Sequence, residues 1–374
     1  MAENTPSWIN SEFLGKALRF NGKHPDIEVI SYEIAPAASA SDHYGSVMYR
    51  VVVITSESGK TDKMSVIVKC ELQHEGLPES NEKPDASTAF ILEAKTYMNI
   101  HSPMSDTLKE NIPDYKPFAP KFVYLYQQRP INAIVIEDLK KDKFCLANVR
   151  LGLDLRHCQL VMSKIAQYHA SSIVLRDKNP NFLQDFSSNF YTEEADGALA
   201  NIFRGTFNNC AEVISNWSGF EKYVHVLRSM SVKITSDMTK AMQTDDTGFN
   251  VLNHGDLWLK NMMFQYNEQT GEVQDVRFVD FQLSYYGSPV LDFFYFLLSR
   301  ASLRFLDDID VCLMCIIPRY MRYSFLTWSR ESSASKQMFE NELNIETYSR
   351  VFAVNSNSCV SRWQIQIMFK IYLN

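Results

Sequence analysis

Runs of apolar and β-branched residues recur through the first 136 residues and predict a β-sheet. Between the third and fourth runs, Phe90, Ala94, Tyr97 and Met98 recur at helical spacing on one face, which predicts a single helix. The runs predicted as strands lie at 28–34, 46–55, 64–72, 123–127 and 134–136.

The pattern changes near residue 137 from strand-like runs to helical periodicity. Helices are predicted at 154–175, 291–304 and 309–328, and the capping box Ser218-x-x-Glu221 predicts the start of a further helix. The predicted fold class is α+β with a bilobal arrangement: a small antiparallel-sheet N-lobe with one key helix and a larger, mainly helical C-lobe. The predicted parts are the N-lobe 1–136, a hinge connector 137–145, and the C-lobe 146–374 with an unassigned tail 355–374.

A strand pair interrupts the helical part and predicts a β-hairpin. Apolar runs at 262–266 and 274–279 flank the polar loop 267–272. If the hairpin is centred on Thr270 and Gly271, Asn261 lies opposite Asp280, and a slip of one residue would separate them. Two oxygen ligands at one point suit Mg²⁺, which takes few protein oxygens beside those of phosphates.

The loop before this hairpin has the spacing of a kinase catalytic loop. His254 and Asp256 precede Asn261 in an H-x-D-x-x-x-x-N pattern, and Asp280 and Phe281 follow as D-F. Phosphoryl transfer uses a carboxylate that orients the substrate hydroxyl and accepts its proton. That role is predicted for Asp256.

A kinase also needs a cation on the phosphates of ATP. Lys69 ends a predicted strand as Val-Ile-Val-Lys, similar to the V-A-I-K pattern, and Glu93 on the next helix is predicted to pair with it. Taken singly, a strand-terminal lysine is usually solvated and a helical glutamate usually lies on the surface. The order of all these features along the chain predicts a kinase fold.

Composition excludes some other functions. The chain of 374 residues is too long for one ordinary compact core, and its net charge of −7 argues against general nucleic-acid binding. The chain start has no signal-peptide pattern, and no apolar run approaches the roughly 18 residues of a membrane span. Seven scattered cysteines, including a C-x-x-C at Cys312 and Cys315 in an apolar stretch, indicate reduced thiols. We therefore expect a cytoplasmic monomer.

Several motifs together resemble those of one family. The stretches lie at 46–50, 67–69, 90–97, 135–139, 165–172, 252–258 and 279–292, and the most specific are HGDLW at 254–258 and DFQ followed by GSPVLD at 287–292. They resemble the ecdysteroid kinase-like proteins of insects, also called CHK-kinase-like, within the aminoglycoside/choline phosphotransferase branch. The resemblance implies ATP-dependent phosphorylation of a small-molecule hydroxyl, with ecdysteroids or other hydroxylated lipophiles and xenobiotics as the substrate class.

The resemblance also implies roles for individual residues. Asp256 would be the catalytic base, Asn261 and Asp280 the Mg²⁺ ligands, and Lys69, oriented by Glu93, a phosphate contact. Other residues would have supporting roles. The backbone of Glu137, Asp138 and Leu139 would hold adenine. His254 and Asp292 would brace the catalytic loop, and His169 would be a packed structural histidine.

The expected phosphate-covering loop, 36–46, departs from the family pattern because Gly45 is its only glycine. Glycine lets backbone N–H groups approach phosphates closely, so this loop would hold ATP less well. The hydroxyls of Ser39, Ser41 and Ser46 could compensate.

Other functions are weighed against this interpretation. A protein kinase is disfavoured because Asp280 and Asp292 lie only twelve positions apart, with no A-P-E motif. A choline or aminoglycoside kinase would need acidic or aromatic side chains around the cationic substrate. The acids at 193–196 could supply this charge, and they are equally consistent with an ordinary solvated surface. The aromatic segment 179–250 suits an apolar pocket and helix packing equally well. The glycine-poor loop favours a pseudokinase, whereas the retained chemical residues oppose one.

Overall fold

The computed structural model describes most of the chain as two compact units. The first contains the described residues up to Tyr168 and those of His254–Ser284, and the second contains those of His169–Asn253 and Tyr285–Leu298. The predicted lobe boundary at 137–145 stays a prediction. The described residues are 6–20, 22, 24–37, 46–71, 87–128, 130–148, 152–186, 198–216, 221–242 and 249–300.

Some sequence predictions lie outside the described residues. These are the phosphate-loop residues 38–45, the acids at 193–196, the helix at 309–328 with Cys312 and Cys315, and the tail 355–374.

The first unit contains a five-stranded antiparallel sheet, as the apolar runs predicted. Its strand order is β1-β2-β3-β5-β4, so the chain runs through three neighbours before β5 inserts beside β3. The strands are β1 (Glu28–Pro36), β2 (Ser46–Glu57), β3 (Lys60–Glu71), β4 (Phe122–Gln128) and β5 (Ile131–Glu137).

Alternation along the central strands builds the core of this unit. Val51 and Val53 of β2 and Val66 and Val68 of β3 point to the same buried face, because every second residue of a strand shares a face. Helix α1 (Ser11–Arg19) covers this face with its apolar side chains. Each such aliphatic or aromatic side chain contributes roughly 1.5–3 kcal/mol when fully buried.

The predicted helix is confirmed, but one of its face residues is wrong. Helix α2 (Thr88–Lys95) is capped by Ser87, runs into a π-helical turn, Thr96–Ile100, and continues as α3 (His101–Asn111). The wider π turn changes which residues face inward, since its hydrogen bonds span five residues instead of four. Ile100 and His101 are therefore buried, whereas Met98 is 38% exposed.

The predicted hairpin is confirmed, but its predicted register is wrong by one residue. Strand β8 (Met262–Tyr266) pairs with β9 (Val273–Phe278), and β6 (Phe144–Leu146) flanks β8. The pairing shifts between Gln265 and Tyr266 at a bulge. The turn next to the bulge is centred between Gln269 and Thr270, one position before the predicted centre, and the bulge recovers only part of this offset. Met262 therefore lies opposite Phe278, and the backbone N–H of Val279, not Asp280, meets Asn261.

The second unit is mainly helical. Helix α4 (Leu155–Lys178) continues into it from Tyr168, followed by α5 (Ala198–Ser215), α6 (Glu221–Met242) and α7 (Val290–Arg300). Two short strands, β7 (Val251–Asn253) and β10 (Tyr285–Gly287), pair antiparallel. In the part of the chain that the structure describes, no helix is both long and apolar enough to cross a membrane.

Candidate active site

Lys69 lies between two carboxylates in the first unit. Its Nζ is 2.6 Å from Oε2 of Glu93 and 2.7 Å from Oδ1 of Asp280. Strand β3 carries Lys69, paired with Met48 on one side and Ile134 on the other, and helix α2 carries Glu93. The structure thus brings together three of the residues that the sequence singled out, and Lys69 is buried, not solvated.

Charge keeps this lysine protonated despite its burial. Burial lowers the pKa of Lys69, but the carboxylates of Asp280 and Glu93 outweigh it and raise that pKa above its ordinary value. Burial raises the pKa of Glu93, Lys69 opposes this and Asp280 adds to it, and the net result is a pKa of about 7. Lys69 is therefore a permanent cation, available to an anionic group near Asp280.

Asp280 adopts a left-handed backbone conformation, with φ of 68°. Few residues other than glycine adopt this conformation. It is incompatible with the extended backbone of a β-strand, so the strand cannot continue through Asp280. The chain leaves β9 here, Asp280 contacts Lys69, and the next residue, Phe281, is fully buried. Strain of this kind is typical of functional positions.

The predicted catalytic loop is held together by its own polar groups. The Nδ2 of Asn261 donates to the Asp256 carboxylate oxygen Oδ2 at 2.9 Å and to its backbone oxygen at 3.0 Å. His254 is fully buried; its Nδ1 accepts from the Asp256 backbone N–H, so its proton lies on Nε2, which donates to the Val279 carbonyl. The loop conformation and the end of β9 are thereby coupled.

Gly255 is required by both backbone shape and space. Its φ is +81°, and a Cβ placed there would lie 1.9 Å from the carbonyl oxygen of Leu283. No larger residue fits unless one of the two backbone segments moves. The close approach holds the loop against the segment that follows Asp280.

The oxygens needed for a hard cation are present, although the site is not a preformed metal cage. Among the described residues, no three His, Cys, Asp or Glu side chains are grouped as a metal site. The Asn261 hydrogen bonds use its nitrogen, and within the described chain its Oδ1 accepts none. Among the residues that the structure describes, Asp280 Oδ2 has only a 3.5 Å contact with Gln282. One amide and one carboxylate oxygen fit Mg²⁺, which keeps waters and phosphate oxygens as its other ligands.

Sequence reasoning missed the aromatic cluster beneath this site. Phe281 contacts His101, His254 and Tyr97, with ring centroids 4.3, 4.5 and 5.6 Å apart. His101 is buried, neither ring nitrogen has a hydrogen-bond partner among the described residues, and burial lowers its pKa to about 3. Tyr97 and His101 lie four positions apart, a helical spacing that could have indicated a shared buried face. The π turn, which contains Tyr97 and ends just before His101, is not visible in the sequence and changes which residues face inward.

The remaining predicted residues lie in varied surroundings. Leu139 is buried at the start of a short 3-10 turn, and Ser46 begins β2 opposite Glu71. In the second unit the Asp292 carboxylate lies 2.9 Å from His169 Nε2, with both side chains buried. Burial of His169 agrees with a packed structural histidine. The loop-bracing role of Asp292 and the adenine contacts of the hinge backbone stay predictions.

The site combines a buried Lys–Glu pair, an Asp–Phe dipeptide after a hairpin strand and an Asp bonded to an Asn five residues later, which is the arrangement expected of kinase-type phosphotransfer. The sequence profile of the ecdysteroid kinase-like family matches residues 40–315, more than half of the chain. The protein therefore belongs to the ecdysteroid kinase-like family, as its motifs predicted, and to the small-molecule kinases.

Other comparisons add less. A crystal structure from Haemophilus somnus 129PT, provisionally described as a fructosamine-3-kinase, covers 85% of this chain and 93% of its own at 12% identity and a TM-score of 0.35. This score is too low to carry an inference about fold or activity. No curated protein matches the chain significantly.

Proposed function

We propose that this protein transfers the γ-phosphoryl group of ATP, with Mg²⁺, to a hydroxyl of a lipophilic small molecule such as an ecdysteroid or a hydroxylated xenobiotic. The observation that carries the proposal is the position of Lys69 Nζ between Glu93 and Asp280, in the same compact unit as the Asp256 loop. Burying a charged lysine is costly, so a lysine with no electrostatic role would lie in solvent and not between two carboxylates.

In this mechanism Asp256 orients the substrate hydroxyl and accepts its proton. The Asn261 amide donates to Oδ2 of Asp256, which limits rotation of this carboxylate. His254 holds the Asp256 backbone through its Nδ1. These contacts support pre-organisation, which lowers the cost of reaching the reactive geometry.

Lys69 would contact the phosphates of ATP, and Glu93 would hold its ammonium group in place. Asn261 Oδ1 and Asp280 would bind Mg²⁺, which neutralises charge between the β- and γ-phosphates when bound. Glu93 and Asp280 also keep Lys69 charged, which supports an electrostatic role.

The test is ADP release by purified protein with Mg²⁺-ATP, with phosphorylated product identified by mass spectrometry. The substrate panel contains ecdysteroids, hydroxylated plant phenolics, choline and aminoglycosides. We compare wild type with Asp256→Asn, and use Asp106→Asn as the matched control because Asp106 is exposed and pairs with the exposed Lys109. Turnover should fall roughly 10²–10⁴-fold in Asp256→Asn and stay unchanged in Asp106→Asn.

Each outcome is decisive for one part of the proposal. Turnover with choline or aminoglycosides alone would reject the lipophilic substrate class. Turnover that survives Asp256→Asn would reject this base. No turnover with any substrate, together with no binding of Mg²⁺-ATP, would support a non-catalytic binding protein instead.

A further inference from the structure

Two acidic neighbours, Glu137 and Asp138, direct their carboxylates to different parts of the first unit. Successive residues of an extended chain point to opposite faces. Glu137 pairs with Val66 of β3, whereas Asp138, still extended, falls on the face that carries Lys69. The dipeptide can therefore contact both faces of the sheet at once.

Asp138 binds the two strands that precede and carry Lys69. Its Oδ2 accepts from Arg50 Nε of β2 at 2.7 Å and from the Ser65 hydroxyl of β3 at 2.6 Å. Ser65 lies four residues before Lys69 on the same face of the strand. Burial raises the pKa of Asp138, but its bonds to Arg50 and Ser65 outweigh this and lower it, so the group stays ionised.

Glu137 binds the strand that leads to Asp280. Its Oε2 accepts from Arg277 Nη1 of β9 at 3.2 Å, and its Oε1 pairs with Lys141 at 3.2 Å. Arg277 is three residues before Asp280, and its guanidinium lies 4.8 Å from the centre of the Phe144 ring. This cation–π contact and the ion pair restrict the strand end.

We propose that five residues form a hinge clamp: Glu137, Asp138, Arg50, Ser65 and Arg277. The clamp fixes β3, which carries Lys69, relative to β9, which leads to Asp280. The proposal rests on the proposed function, because it makes Arg50 and Arg277 positioning residues for phosphoryl transfer. Neither arginine needs to touch ATP. Without the clamp, Lys69 and Asp280 are still present, but the distance between their strands is less tightly restricted.

The experiment compares Arg277→Met and Arg50→Met with Arg156→Met, a control at an exposed arginine of α4. Both clamp variants should lower kcat by about 10–100-fold, since displacement near 1 Å has that effect, and should change KM for ATP by less than about threefold. The control should change neither. Circular dichroism establishes that each variant is folded.

Two further variants protect the test against misfolding. Glu137→Gln keeps the size of its side chain and removes the charge, and Arg277→Lys keeps the charge without the planar guanidinium. In a double-mutant cycle, Glu137→Gln with Arg277→Met should lower kcat no more than the larger single effect. Additive losses, or full kcat in folded clamp variants, would overturn the proposal.

Hydrogen exchange measures the clamp without any substrate. Peptides covering 66–71 and 278–281 should exchange faster in Arg50→Met and Arg277→Met respectively than in the control. If wild type phosphorylates nothing, the proposed function fails and this exchange alone decides the clamp. Unchanged exchange in both peptides would reject it even if kcat fell.

Discussion

Gly255 gives the sharpest single test of the site geometry, because a matched glycine exists in the same unit. Gly255 and Gly271 have similar positive φ values, +81° and +73°. A Cβ at Gly255 would lie 1.9 Å from the carbonyl oxygen of Leu283, whereas a Cβ at Gly271 meets nothing within 4 Å. Alanine at each position therefore adds the same backbone strain, and only Gly255→Ala adds a collision.

The magnitudes follow from these two terms. Left-handed backbone strain costs about 1–2 kcal/mol in either variant. The collision in Gly255→Ala adds roughly 1–3 kcal/mol, as overpacking does. Contacts of a real Cβ essentially never fall below 3.0 Å, so the loop must move by about 1 Å, and such a displacement beside Asp256 lowers kcat by about 100-fold.

The assay combines urea unfolding with steady-state turnover. Gly271→Ala should lose about 1–2 kcal/mol of unfolding free energy and keep wild-type kcat. Gly255→Ala should lose about 2–5 kcal/mol and most of its activity. If the two folded variants had the same stability and the same kcat, the close approach to Leu283 would not restrict the loop, and the reasoning would be refuted.

Three further predictions concern the groups around Lys69. Lys69→Met should lower kcat/KM for ATP by at least about 100-fold in a folded protein, since it removes a pre-organised charge; retained turnover would contradict the phosphate role. Ser87→Ala should cost about 1 kcal/mol in urea unfolding, because the Ser87 hydroxyl accepts from the Phe90 N–H at the start of α2; no loss would reject the cap. His101 has a folded pKa of about 3, below the 6.5 of an unfolded histidine, so the unfolded chain binds the proton first. The contribution of His101 to the free energy of unfolding is therefore fully present above pH 6.5 and is about 1.4 kcal/mol smaller at pH 5.5. The difference in unfolding free energy between wild type and His101→Phe should change by this amount between pH 7.5 and 5.5, and a constant difference would contradict it.

Local pattern was sufficient for most of the secondary structure. The runs predicted at 46–55 and 64–72 became β2 and β3, because their buried valines alternate with residues of the other face. Two details were wrong for a shared reason. The π turn before His101 and the position of the hairpin turn are set by backbone hydrogen bonding, which the order of apolar and polar residues does not reveal.

The site was partly predictable for a different reason. Asp256 and Asn261 lie within one loop, so their spacing alone indicated a catalytic-loop pattern, whereas the hydrogen bond between them was seen only in the structure. The Lys69 partners come from 24 and 211 residues away along the chain. The Lys69–Glu93 pair was inferred by analogy with the order of kinase motifs, whereas the contact of Lys69 with Asp280 was not predicted.

The sequence by itself determined the strands, the hairpin, the catalytic-loop spacing and the family, because these depend on neighbouring residues and on motifs read along the chain. Only the tertiary structure decided that Lys69 is buried between two carboxylates, and that Arg50 and Arg277 bind Asp138 and Glu137 from two strands. An ion pair depends on the distance between its charges in space, and strand register, bulges and packing set that distance.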